Sequence, residues 1–192
     1  MASALPYIET IRDKIRGFQF LSKLDVTYGL YCLTVHPDCM KYLQTTTATG
    51  SGSLYHQVTT MGLFCAPTCF QTAMTKIIDT MTDVIDGKIA KDFVTVYIDD
   101  FYIHTYDGGC AFHWKIMKVV LDRLMKYNVK IRFDKLELFT KGTFVLGYAD
   151  KDFLSIDKTK TAVLESWQIP TIKISLQRYL GFCGYFRNFC EN

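Results

Sequence analysis

Apolar and polar positions follow two periods along this chain, and the switches between them mark its elements. Residues 18–25 (FQFLSKLD) and 30–35 (LYCLTV) are apolar-rich and read as strands. Residues 41–47 and 54–60 flank Gly50-Ser51-Gly52-Ser53, a connection that tolerates positive φ, and so predict a hairpin. Pro67 then opens a helix. Its Phe70, Met74, Ile77, Met81 and Val84 recur at steps of three or four, with Gly87 just past the expected end. Two aromatic and β-branched runs, 93–98 (FVTVYI) and 101–106 (FYIHTY), are separated only by Asp99-Asp100 and predict a tight hairpin. A second helix is expected over residues 111–127, with Met117, Val120, Leu121 and Leu124 on one face. Short strands are expected at 129–133, 143–149 and 153–156. From Asp157 the pattern is helical, broken at Pro170, and its last stripe is Leu176, Tyr179, Leu180 and Cys183. Strands interrupted by helices, with hairpins between them, predict an α+β body over residues 1–156 and a helical appendage over 157–192.

Composition narrows the class without naming a function. The chain has 192 residues, 49% of them hydrophobic, which excludes a disordered tail and suits one domain with or without an appendage. The net charge of +3 is too small to announce a nucleic-acid partner. No apolar run approaches the roughly 18 residues of a membrane span. Residues 1–9 carry neither a basic leader nor an apolar core, so the expectation is an intracellular protein, in cytoplasm or nucleus, that is not secreted and has no membrane partner. Seven cysteines, odd in number and without a Cys-x-x-Cys pair, read as buried reduced thiols rather than zinc ligands or disulfides.

The strongest candidate for chemistry is Tyr97-Ile98-Asp99-Asp100. Adjacent carboxylates repel, and a turn needs only one Asp, although Asp-rich turns are common. Asp25, at the end of an apolar strand, adds a third carboxylate; if that strand neighbours the hairpin, all three converge on one sheet edge. Hard divalent cations would relieve the repulsion. Two such ions about 4 Å apart can clamp the attacking and leaving oxygens of an in-line phosphoryl displacement.

Segments spread over the chain resemble the reverse transcriptases of gypsy-type LTR retrotransposons, whose Pol polyproteins carry them. The likeness runs from about Leu5 to Phe189, in the family's order. It includes the segment Phe20-Leu-Ser-Lys-Leu-Asp25-Val-Thr-Tyr-Gly29, the loop from Met61 and Gly62 to Pro67 and Gln71, and the Tyr97-Ile-Asp-Asp100 hairpin. It continues through His113, Lys135, Phe144-Val-Leu-Gly147-Tyr148, Trp167-Gln-Ile-Pro170 and Leu180-Gly-Phe-Cys-Gly-Tyr185. The resemblance implies a right-hand polymerase palm, an antiparallel sheet with helices packed on one face, and a helical partial thumb. It also implies two Mg²⁺ ions, with Mn²⁺ as a substitute, carried by Asp25, Asp99 and Asp100. The expected activity is RNA-directed DNA polymerase chemistry on an RNA or DNA template with its primer. The nucleotide would meet the amide of Val26, with Tyr28, Gly29, Leu30, Met61 and Lys135; template and primer would meet Gly62, Pro67, Tyr97, Ile98 and Gly147.

The chain departs from the family in places. Leu30 stands where an aromatic ring normally blocks a ribose 2′-hydroxyl, Thr60-Met61 replaces a Pro-Phe pair, and Cys65 replaces an amide side chain. The family's fingers strands would precede Leu5, so fingers are expected to be largely absent, with fingers, RNase H or integrase modules supplied on other chains. An inactive retroelement remnant that binds nucleic acid weakly is the competing expectation, and an RNA-binding sheet is the third. Tyr102, Tyr127 and Phe133 are expected in the core. Lys158, Lys160, Lys173 and Arg178 are candidates for duplex phosphates or simply a solvated face.

Overall fold

Apolar-rich segments form β1 (Phe20–Asp25) and the hairpin of β6 (Val94–Tyr97) and β7 (Asp100–Thr105), with β7 and β1 the two central strands of the sheet. With β8 (Glu137–Thr140) they form an antiparallel sheet of order β6-β7-β1-β8. The computed structural model describes residues 5–47, 50, 52–140, 148–149, 155–156, 162–164 and 166–185. The first helix, α1, is Ile8–Ile15; a single turn, α2, is Pro37–Met40. The hairpin β2 (Gln44–Thr46) and β3 (Ser53–Tyr55) lies where the Gly-Ser run predicts one, but with shorter strands. Helix α3 is Ala66–Asp79, β4 and β5 are Val84–Ile85 and Lys88–Ile89, and α4 is Gly109–Lys126.

The chain divides into two compact units, residues 1–140 and 141–192. In the first, Leu24, Phe101, Ile103 and Val96 pack with Phe70, Met74 and Ile78 of α3 and with Ile116, Met117, Val120 and Leu124 of α4. The other sheet face, reached by alternation, buries Leu21 and Tyr102, and α1 and its exit bury Ile11, Ile15 and Phe18. Inside the sheet, Ser22 Oγ lies 2.8 Å from His113 Nε2 and accepts the Phe139 amide at 3.1 Å, which ties β8 to the centre. In the second unit, β9 (Tyr148–Ala149) pairs with β10 (Ser155–Ile156), and α5 (Lys173–Tyr185) sets Tyr179 and Phe182 against Trp167.

Several expectations are corrected. Residues 30–35 form no strand: Tyr28, at φ 53°, turns the chain into a 3-10 turn at Gly29–Cys32. Leu30 and Leu33, three apart, then reach the core together. α3 stops at Asp79, so Val84 is exposed, and Gly87 does not cap it. Instead Asp86 (φ 50°) and Gly87 (φ 78°) make the two-residue turn of β4–β5, where both positions need positive φ. Residues 129–133 contribute only an isolated bridge, Val26 to Ile131. Cys32, Cys39, Cys65, Cys69 and Cys110 are free but exposed, not buried. Tyr102 is in the core, whereas Phe133 is 84% exposed and Tyr127 is also open. On α5, Leu176 and Leu180 are exposed, as are Lys173 and Arg178. Lys158 and Lys160, most of the expected strands at 143–149 and 153–156, and Gly147 lie outside the described residues. Among the described residues no helix is long and apolar enough to cross a membrane.

Candidate active site

The antiparallel register places Asp25 directly opposite Asp100, so the end of β1 meets the tip of the β6–β7 hairpin. Two backbone bonds fix that corner: the Val26 amide donates to the Asp99 carbonyl at 2.8 Å, and the Arg132 amide to the Asp25 carbonyl at 2.8 Å. The hairpin turns through Ile98 at φ 51°, a costly conformation for a β-branched residue. Gln71, buried on α3, holds it there. Its Oε1 accepts the Ile98 amide at 2.6 Å and its Nε2 donates to the Val96 carbonyl at 3.0 Å.

A cavity of about 260 Å³ opens beside this corner. Asp25 and Asp99 line it, together with all six residues expected to meet a nucleotide: Val26, Tyr28, Gly29, Leu30, Met61 and Lys135. Tyr31 and Arg132 complete the lining. The Val26 amide, expected to meet the nucleotide, already donates to the Asp99 carbonyl and is not open to a ligand. Pro67 lies in the first turn of α3, and Gly62 in the loop before it, at φ 93°. Neither these two nor Tyr97 and Ile98 line the cavity. A larger cavity, about 490 Å³, runs along the open edge of β6 between α1 and α3. It contains none of the three carboxylates, so chemistry rather than volume selects the smaller one.

The three carboxylates differ in their surroundings. Asp25 has Lys135 Nζ at 3.7 Å and Arg132 Nε at 3.9 Å. Asp100 has Lys23 Nζ at 3.2 Å and accepts the Tyr102 hydroxyl at 3.0 Å. Asp99 Oδ1 is buried without a hydrogen-bond partner. Burial first, then the charges of Asp25 and Asp100, push the Asp99 carboxyl above the usual carboxylate range. Among the described residues no three ligating side chains converge as a finished metal site. The donors nonetheless fit a hard divalent cation: one oxygen lacks a partner, a second carboxylate lines the same cavity, and their mutual repulsion would be relieved by positive charge.

Gln71 and Arg132 belong to the candidate site without having been given a role from sequence. A polar residue in the buried series Phe70, Gln71, Met74 and Ile78 is the signal for the first. Arg132 carries no comparable mark beyond its basic neighbours Lys130 and Lys135.

The chain is 25% identical over 189 residues to the retrovirus-related Pol polyprotein from transposon 297 of Drosophila melanogaster, a match covering 98% of this chain and 17% of that protein. It is 26% identical to the corresponding polyprotein from transposon opus, covering 98% and 18%. The chain thus spans about a sixth of the length of these relatives. Its fold is similar to a foamy viral protease-reverse transcriptase solved in complex with double-stranded DNA, with a TM-score of 0.85 at 18% identity, covering 100% of this chain and 32% of that one. A foamy viral protease-reverse transcriptase solved with an RNA/DNA hybrid gives a TM-score of 0.76 at 17% identity, covering 97% and 24%. Residues 3–150 match the family described as reverse transcriptase (RNA-dependent DNA polymerase), a span that holds the paired carboxylates, the cavity and the turn behind them, and the chain belongs to that family.

Proposed function

We propose that this chain carries the catalytic palm of an RNA-directed DNA polymerase, extending a primer 3′-hydroxyl by one deoxynucleotide at a time with release of pyrophosphate. Residues 1–156 would be the palm and residues 157–192 a thumb segment. Every described residue of the proposed site lies before Thr140. The observation that carries the reading is the cavity that gathers Asp25 and Asp99 with Lys135 and Arg132.

Asp25 and Asp99, with Asp100 adjoining, would hold two magnesium ions; when bound, these supply charge neutralisation for an in-line displacement at phosphorus. The chain's own groups do the rest. Lys135 and Arg132 lie beside Asp25, placed to take the triphosphate oxygens and the charge that develops on the leaving pyrophosphate. Leu30 and Tyr31 line the same cavity and would lie against the sugar. Exposed Met61, in the loop before α3, would lie against the incoming base, with Gly62 and Pro67 toward the template. Tyr97, Ile98 and Gly147 would face the primer. The foamy viral structures with double-stranded DNA and with an RNA/DNA hybrid support a primer–template duplex as the partner.

The test is primer extension on an RNA template with Mg²⁺, comparing the chain with Asp99→Ala/Asp100→Ala. Extension that disappears in the double variant is the expected result. Equal extension by the double variant would refute the assignment. A folded parent that extends nothing would favour the inactive retroelement remnant.

A further inference from the structure

Asp25 and Asp100 face each other across β1 and β7, yet only Asp25 lines the cavity with Asp99. Both oxygens of Asp100 already have donors. Lys23 Nζ stands 3.2 Å from one, and the Tyr102 hydroxyl donates to the other at 3.0 Å. The sheet register builds this arrangement, because Lys23 pairs with Tyr102, two residues from Asp100 on the same face. The Lys23 ammonium also lies over the Tyr102 ring, 5.9 Å from its centre, and Glu137 stands opposite Lys23 on β8. Lys23 and Asp100 are each only 21% exposed at the side chain, so water screens the pair incompletely. The other carboxylates are held less tightly: Asp25 has its two cations at 3.7 and 3.9 Å, and Asp99 keeps one oxygen without a partner.

We infer that Lys23 is a positioning residue which, with Tyr102, draws Asp100 into the sheet, so that Asp25 and Asp99 take the first divalent ion and Asp100 adds an oxygen only by giving up Lys23. This rests on the metal-binding reading of the site. Lys23 then acts in two ways at once. It occupies an oxygen that an ion needs, and its fixed charge opposes a second cation nearby. The three carboxylates are therefore unequal, and Lys23 sets how strongly the third one contributes.

The experiment titrates the protein with Mn²⁺ and follows free ion by electron paramagnetic resonance, a readout independent of polymerisation. Asp99→Asn should weaken binding about tenfold or more, while Asp100→Asn should change it less than about threefold. Lys23→Met should tighten binding by about threefold to tenfold, and adding Asp100→Asn to it should remove the part of the gain that comes from the freed Asp100 oxygen. Lys23→Arg should keep the parent affinity. Tyr102→Phe, which removes one hydroxyl and keeps the ring, should also tighten binding and preserves the test if Lys23→Met does not fold. The inference is overturned if Asp100→Asn is as costly as Asp99→Asn, or if neither Lys23→Met nor Tyr102→Phe tightens binding. Unchanged binding in Asp99→Asn is a separate result that refutes the metal site itself.

Discussion

Replacing Gln71 by Met tests the support behind the turn that carries Asp99. The side chain is 5% exposed, and Met fills a similar volume without offering either hydrogen bond. Two backbone groups lose their partner: the Ile98 amide, bonded at 2.6 Å, and the Val96 carbonyl, bonded at 3.0 Å. A buried backbone group left unpaired costs about 1–3 kcal/mol, and water can reach part of this open sheet edge, so about 2–4 kcal/mol is expected for the pair. The left-handed Ile98 adds to the effect, since its conformation is unfavourable by about 1–2 kcal/mol and loses the amide bond that holds it. Asp99 follows Ile98 directly, so the same change should disturb its placement. Urea unfolding measures the stability, and Mn²⁺ titration reads the placement of Asp99. A Gln71→Met protein within about 0.5 kcal/mol of the parent, with unaltered Mn²⁺ affinity, would refute the reasoning.

Three further outcomes are expected. A Cβ at Gly29 would press on Asp99 Oδ1 and come within 2.6 Å of Phe70 Cζ, in a ring that is fully buried. Gly29→Ala should therefore cost about 1–3 kcal/mol in urea unfolding and weaken Mn²⁺ binding; an unaltered alanine variant would contradict the packing. Burial, with Lys14 and His113 adding, holds His104 down to about 4 from its ordinary 6.5, and burial alone does the same for His113. Both are neutral in the folded protein and charge more readily when unfolded, so each contributes stability above pH 6.5 that is lost as pH falls towards 4, up to about 3 kcal/mol apiece. Stability that stays flat from pH 7.5 to 4 would contradict this. Leu30, in place of a blocking aromatic ring, should admit ribonucleotides, and Leu30→Phe should raise the preference for deoxynucleotides about tenfold in single-nucleotide insertion. A parent that already rejects ribonucleotides strongly would oppose that reading.

The long periodic elements were legible from sequence because their burial repeats locally. β1, α4 and the start of α3 follow from spacing alone, but α3 ends at Asp79, short of Val84, and the β6–β7 turn is Ile98-Asp99 rather than Asp99-Asp100, since Asp100 already pairs with Tyr97. What escaped depended on single backbone angles or distant partners. Residues 30–35 are a short apolar run that reads like a strand, but the left-handed Tyr28 redirects them into a turn. β8 is four residues long and is defined by pairing with Leu21 and Lys23, far away in sequence. Phe133 continues the alternation of Val129 and Ile131, yet it opens a 3-10 turn and is exposed to solvent. At the site, the family resemblance named residues that the structure brings together, since Asp25, Asp99 and the six residues expected to meet a nucleotide line one cavity. Hydrogen-bond commitments were not legible: that the Val26 amide is spent on Asp99, that Gln71 braces the hairpin, and that Lys23 and Tyr102 claim Asp100.

The most direct test of the central claim is single-nucleotide addition to a DNA primer on an RNA template with Mg²⁺, run on the chain and on Asp25→Asn and Asp99→Asn separately. The account predicts addition by the parent and its loss in each variant, because each removes one of the two carboxylates that line the cavity. Addition that persists in either folded variant would contradict it.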